Sequence, residues 1–383
     1  MPWTLDGLCP SRSTAAGRSS SDGDWKNRVR STLHTIFGFP QGGYVRRRLL
    51  ALTTAALIAV VAVTVAAAAP TAGSVTVYSG RSEAFAKPLF EMFTKETGIR
   101  VEARYGDSAA LAATILEEGG NSPADVFWGQ EAGAVGAVSR EGLLKTLPAA
   151  TLERVPPRFR SPNRAWVGTS GRARVLAYNT ERVQQSELPD SVYALTGARW
   201  KGKVGLPPTN ASFQAFVSVM RLEAGDDRTR DFLLGLKAND VRFYSGNSQV
   251  LQALARGEIE IGLVNHYYLT QLKAQEPNAP VANHFLAKGD PGAVVNCAAA
   301  GILKTAANGA EAQKLVDFLL SKKAQRFIAR GPGNAEYPLV GGVLPRPGLP
   351  KIGDLQGPSI NLGRLGRELP ITLRLLGEVG YTR

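Results

Sequence analysis

IEIGLVNHYYL, residues 259–269, opens as an apolar, β-branched run and ends on two adjacent tyrosines. IEIGLVN (259–265) has the composition of a strand buried inside a sheet, and Tyr267-Tyr268 falls where that strand gives way to a predicted helix. Runs of the same kind lie on either side: VTVYSG (75–80), VEARYG (101–106), DVFWG (125–129), RVLAYN (174–179), KVGLP (203–207) and VRFYSG (241–246). Helical patterns separate several of them. SEAFAKPLFEMFTKETG puts Phe85, Leu89, Phe90 and Phe93 on one face and stops at Gly98. TNASFQAFVSVMRLEAG opens on Thr209 and Asn210 as N-cap candidates, and NGAEAQKLVDFLLSKKAQRFIARG reads as one helix ending at Gly331. This alternation predicts an α/β fold of largely parallel sheets. The stretch after residue 69 exceeds the ~250–300 residues at which single cores stop growing, so two lobes are expected. No 20–50-residue period repeats, which excludes a solenoid.

The 383 residues carry a net charge of +13, of which +5 lies in residues 1–69. The remaining basic residues are scattered without a Lys/Arg block or an interleaved aromatic motif, so an anionic small ligand is expected and nucleic acid is not. Arg46-Arg47-Arg48 precede LLALTTAALIAVVAVTVAAAA (49–69), a basic region and an apolar run ending in small residues. Residues 45–69 are therefore read as a secretory signal, with Ala66-Ala67-Ala68 offering the cleavage site; the run also has the length of an uncleaved membrane anchor. Residues 1–44 are polar and aperiodic, and Val45 stands where an initiator would be expected. They are read as a non-native or disordered extension, with translation starting at 45.

The two cysteines, Cys9 and Cys297, and three histidines exclude a disulfide framework and a histidine-built metal centre. There is no GxSxG elbow, HExxH, P-loop, CxxC or strand-borne GxGxxG, so no enzyme is predicted. Ser170 in GTSGR is read as a turn serine, Asp226-Asp227 as charges at a helix start, and Cys297 as a buried small residue. That leaves the tyrosine pair. Strand carboxyl ends are where open α/β sheets hold ligands, and neighbouring side chains converge there only if the chain turns. Phenolate is a hard anionic donor suited to a hard trivalent cation such as Fe(III), whose charge lowers the phenol pKa from about 10. Buried aromatic packing would also produce such a pair.

The order of landmarks resembles the periplasmic ferric-ion-binding receptors of iron ABC importers, within the class II extracellular solute-binding proteins. It runs through VTVYSGRSE (75–83), SPADVFWGQEAGAVG (122–136), GTSGRARVLAYNT (168–180) and WKGKVGLPPTNASFQ (200–214). It continues through SGNSQVLQALARGEIEIGLVNHYYL (245–269), GDPGAVVNCAAAGILK (289–304) and AEYPL (335–339). The resemblance implies a two-lobed type II binding-protein fold with a ligand cleft between lobes joined by crossover strands. It assigns 74–172 with 296–345 to lobe 1, and 173–295 with 346–383 to lobe 2. By the same resemblance Tyr267 and Tyr268 ligate Fe(III), a synergistic carbonate or phosphate sits at Asn210-Ala211-Ser212, and Asn247, Ser248 and Asn265 hydrogen-bond around it. Arg81 and Arg172 are candidates for balancing the anion, and Gln130 or Glu131 for a further metal ligand. Three departures stand out: Ser82 where some members have histidine, Gln130 where some have a carboxylate, and Ser212 where some have tyrosine. His266 is expected beside the site or as a capping or surface residue. The partners implied are an ABC permease and its ATPase, with the receptor monomeric and periplasmic. Two other functions fit the residues: a receptor for a small organic anion such as a phosphonate, and a membrane-anchored sensor domain.

Overall fold

The computed structural model describes residues 73–355 and 357–382. Strands β1 (Ser74–Ser79), β2 (Arg100–Tyr105) and β3 (Val126–Gly129) run parallel, with β1 between the other two. Helix α1 (Glu83–Thr97) buries the predicted face of Phe85, Leu89, Phe90 and Phe93. It ends at Gly98, whose positive φ of 73° is the left-handed stop that glycine tolerates. Phe85 and Phe90 close around the buried indole of Trp128 on β3. Asp107 accepts the N–H groups of Ala109 and Ala110 and so caps α2 (Ser108–Glu118); α3 (Ala132–Arg140) follows β3. A single turn, α4 (Ala149–Leu152), leads toward the central strand.

That strand, β4 (Val167–Asn179), is buried along its whole length and serves two sheets. Val167–Ala173 pair with β9 (Val295–Ile302), which also pairs with β3; Arg174–Tyr178 pair with β7 (Ile261–Asn265), and Leu176–Asn179 with β8 (Val281–His284). Beyond β7 lie β5 (Val204–Leu206) and the short edge strand β6 (Arg242–Phe243), both parallel to it in sequence of pairing. The order is therefore β2-β1-β3-β9-β4-β7-β5-β6. Helices α5 (Ala211–Ala224), α6 (Asp226–Ala238), α7 (Asn247–Ala255) and α8 (Tyr268–Gln275) belong to the second half. Helices α9 (Gly309–Leu319) and α10 (Lys322–Arg330) follow β9, and α11 (Leu365–Glu378) ends the fold.

Several expectations need correction. The sheets are mixed, because the strands that pass between the two halves run antiparallel to their neighbours. The second of these, β9, was hidden in the small-residue run NCAAAG, which buries both faces and shows no alternation. GTSGR is not a turn: β4 extends back through it, and Ser170 is wholly buried. The 308–331 stretch is two helices, since Ser321 accepts the Ala324 N–H and caps α10 as a new start. Asp226 and Asp227 do open a helix.

Helix α11 packs on both α3 and α5. A Cβ at Gly366 would come within 2.3 Å of the Gly136 backbone, so the α3–α11 crossing requires glycine. On the α5 side, Arg221 Nη1 reaches Glu368 Oε2 at 3.3 Å and Thr372 Oγ1 at 3.1 Å, and the Ser218 and Thr372 hydroxyls meet at 2.7 Å. Among the described residues no helix is long and apolar enough to cross a membrane. The extension at 1–44 and the signal at 45–69 lie outside the described residues.

Candidate ligand-binding site

Strand β7 ends at Asn265 and the chain turns at His266. The His266 ring is buried: Nε2 lies 2.7 Å from the Ala335 carbonyl and Nδ1 3.2 Å from the Ala173 N–H. Burial lowers its pKa to about 4, outweighing those bonds, so the neutral ring donates through Nε2 and accepts at Nδ1. The residue is thus neither a surface group nor a cap; it pins the turn that presents the tyrosines. Tyr267, in helical conformation, and Tyr268 then stack with centroids 4.4 Å apart and planes at 28°. Tyr267 is buried and Tyr268 half-buried. Burial, followed by the neighbouring Tyr267, raises the Tyr268 pKa, which favours the protonated phenol.

Arg172 on β4 donates from Nη2 to the Tyr267 oxygen at 2.8 Å, and its Nε lies 3.7 Å from Glu336 Oε1. Burial opposes the Arg172 charge, but Tyr267 and Glu336 outweigh it and the pKa is raised. Arg81, just after β1, is also buried; it pairs with Glu336 and stacks over Phe85 at 4.2 Å. Among the described residues both arginines keep N–H groups without a hydrogen-bond partner, Nε and Nη1 in each. Arg174, two residues on, is 1% exposed yet forms no ion pair among the described residues; it donates to the Leu263 carbonyl at 2.9 Å and to Ser212 Oγ at 3.1 Å. Burial lowers its pKa to about 9. Arg172, Arg174, Ser212, Asn265 and Asn296 line a small cavity of about 10 Å³, roughly the space of one water. The side-chain nitrogens of Asn265 and Asn296 are likewise buried without partners among the described residues.

Residues 121–347 match the family described as bacterial extracellular solute-binding proteins. The chain belongs to this family. It is 34% identical over 337 residues to the major ferric iron-binding protein of Neisseria meningitidis serogroup B, covering 86% of this chain and 99% of that one. Among solved structures, it is similar to iron-bound HitA from Pseudomonas aeruginosa with a TM-score of 0.75 and 33% identity, over 80% of this chain and 99% of the other. The Trichodesmium protein in complex with iron and citrate gives 0.69 and 31%, over 81% and 100%. The architecture is accordingly the two-lobed α/β type II binding-protein fold, and the family is one of transport receptors rather than enzymes.

The other predicted residues of this solute-binding protein fare unequally. Asn210 caps α5: its Oδ1 accepts the Ser212 N–H at 3.0 Å and the Ser212 hydroxyl at 2.6 Å. The Ser212 N–H is therefore taken, and the segment instead offers Ser212 Oγ beside Arg174. Ala211, the first residue of α5, is buried. Asn247 is buried with both side-chain amide atoms unpartnered among the described residues, whereas Ser248 is exposed. Both Glu131 oxygens accept from the start of α3, the Gly133 and Ala134 N–H groups, and burial pushes its pKa up to about 7. The Gln130 N–H goes to Ser108 Oγ at 2.8 Å, leaving its side chain half-buried. Among the described residues no three His, Cys, Asp or Glu side chains gather as a metal site. Glu336, Arg174, Ser170 and Asn296 were missed. Period two along GTSGRAR places Ser170, Arg172 and Arg174 on one face of β4, a signal that was available in the sequence.

Proposed function

We propose that this protein is an extracytoplasmic receptor that captures Fe(III) through Tyr267 and Tyr268, together with a synergistic carbonate or phosphate, and delivers it to an ABC permease and its ATPase. The observation carrying this reading is the stacked tyrosine pair with one phenol oxygen on a buried arginine. Aromatic packing alone does not require a guanidinium at the ring oxygen, nor buried N–H donors left open around it. Fe(III) would bind the two phenol oxygens as phenolates and release the proton of each, including the Tyr268 proton that burial otherwise retains, so uptake is coupled to proton release. The anion would take the unpartnered N–H groups of Arg172, Arg81, Asn265 and Asn296, with Ser212 and Arg174 behind it. Carbonate and phosphate suit such donors because each offers several acceptor oxygens.

Lobe 1 (74–172 with 296–345) and lobe 2 (173–295 with 346–383) would close on the ligand about the shared strand. Closure requires that the ligand bind the closed form better than the open one. The relatives' names support a periplasmic, iron-binding role, and the receptor would act as a monomer. Purified protein from Ala69 onward, loaded with ferric citrate and freed of excess iron, should show a tyrosinate-to-iron charge-transfer band. The band should vanish when Tyr267→Phe and Tyr268→Phe are combined. No band and no retained iron in the unsubstituted protein would transfer the function to a small organic anion and leave the tyrosines a stacking feature.

A further inference from the structure

Among the described residues, Glu336 is the one carboxylate joined to both candidate anion-binding arginines. It is 1% exposed, pairs with Arg81, accepts a hydrogen bond from the Ser170 hydroxyl and lies 3.7 Å from Arg172 Nε. Burial opposes its ionisation, but Arg81 and Arg172 outweigh that and hold its pKa below the usual carboxylate range. The cluster therefore contains two buried guanidiniums and one buried carboxylate. It joins the turn after β1, strand β4 and the 335–339 segment, and reaches Tyr267 through Arg172. Stranding two buried cations without a counter-charge is strongly unfavourable. A site that must let its anion go needs something to hold the arginines once the anion has left.

Resting on the ferric reading above, we infer that Glu336 is a built-in counter-anion, a positioning residue that holds Arg81 and Arg172 in the empty site and competes with the incoming anion for them. It lowers anion affinity, and by doing so makes release possible. It also leaves the cluster one net positive charge, which limits how strongly a multiply charged anion is retained. Ser170, on the same face of β4 as Arg172, fixes the carboxylate oxygen that faces away from Arg81.

The test uses iron-free protein with inorganic phosphate as the probe, read by calorimetry and by the phosphate dependence of Tm. Glu336→Gln should bind phosphate about tenfold more tightly or better, because a unit charge has been removed from a buried cluster. Its Tm should start lower and rise more with phosphate than that of the unsubstituted protein. Adding Arg81→Gln restores the charge balance and should return the affinity toward the starting value. A Glu336→Gln protein with a lowered Tm and unchanged or weaker phosphate binding would mean a merely structural carboxylate and overturn the inference. Should that variant fold only with phosphate present, Glu336→Asp, which draws the charge back from both arginines, should show the same tightening to a smaller extent. Unchanged or weaker binding there also overturns it. The iron band of the unsubstituted protein separates the two claims: a normal band with no tightening sinks the Glu336 role alone, and no band sinks the ferric reading.

Discussion

Two strand-to-helix turns in this molecule begin alike and end differently. After β3, Glu131 folds back on α3 and spends both carboxylate oxygens on the N–H groups of Gly133 and Ala134. After β7, neither tyrosine caps α8; Tyr267 reaches instead to Arg172 and Tyr268 stacks on it. A side chain that satisfies its own helix has little left for a ligand, while one with no local partner remains available. The start of α5 lies between these cases, with Asn210 capping the helix and Ser212 turned toward Arg174. The contrast explains why a carboxylate one residue from a metal-ligand position need not be a ligand, and why the tyrosines carry the ferric proposal.

The sharpest way to break this contrast is to remove both phenol oxygens. Tyr267→Phe with Tyr268→Phe should weaken iron retention by more than about 100-fold, beyond the 10–100-fold typical of losing an outer-shell partner, as read by competition with a chelator. Retention within a few-fold would show that the iron, if bound, sits elsewhere. Glu131→Ala should instead cost about 1–2 kcal/mol of unfolding free energy through the lost cap, with iron retention nearly unchanged. Iron loss comparable to that of the tyrosine double variant would make Glu131 a ligand after all and erase the distinction between the two turns. Asn210→Ala is expected to cost about 1 kcal/mol in denaturant unfolding, and to weaken phosphate binding because Ser212 Oγ loses its anchor. A stability loss with phosphate affinity untouched would remove the α5 start from the anion site. Ser248→Ala, on an exposed position, should change stability by no more than about 0.5 kcal/mol and iron retention not at all. A measurable drop in retention would return this residue to the site.

The fold was legible where a single physical pattern dominated. The amphipathic face of α1, the Gly98 stop and the apolar strand before the tyrosines all announced themselves. It was illegible where burial on two faces erased periodicity, as in β9, or where a serine starting a helix resembled a helix interior, as at Ser321. In the site, the tyrosines stood out by composition and were tied to a ligand role by resemblance. The resemblance also indicated Arg172, but Glu336 went unremarked although it stands in AEYPL. Its importance lies in partners 255 and 166 residues away, Arg81 and Ser170, and no local pattern encodes a contact of that range.

The shared strand has a consequence for how this chain acquires its structure. Phe127 on β3 has Tyr78 of β1 on one side and finds its second neighbour, Gly301, only on β9, and the first half of β4 pairs with the same late strand. Until that strand exists, β3 has an open edge and β4 lacks one of its partners. Such long-range pairing makes folding slow, since loop closure must precede any reward from contact. The amino-terminal three-quarters of the chain therefore cannot complete its native sheets before β9 has been made. A nascent chain in that condition remains threadable, and also prone to edge-to-edge association, until Ile302 has been added.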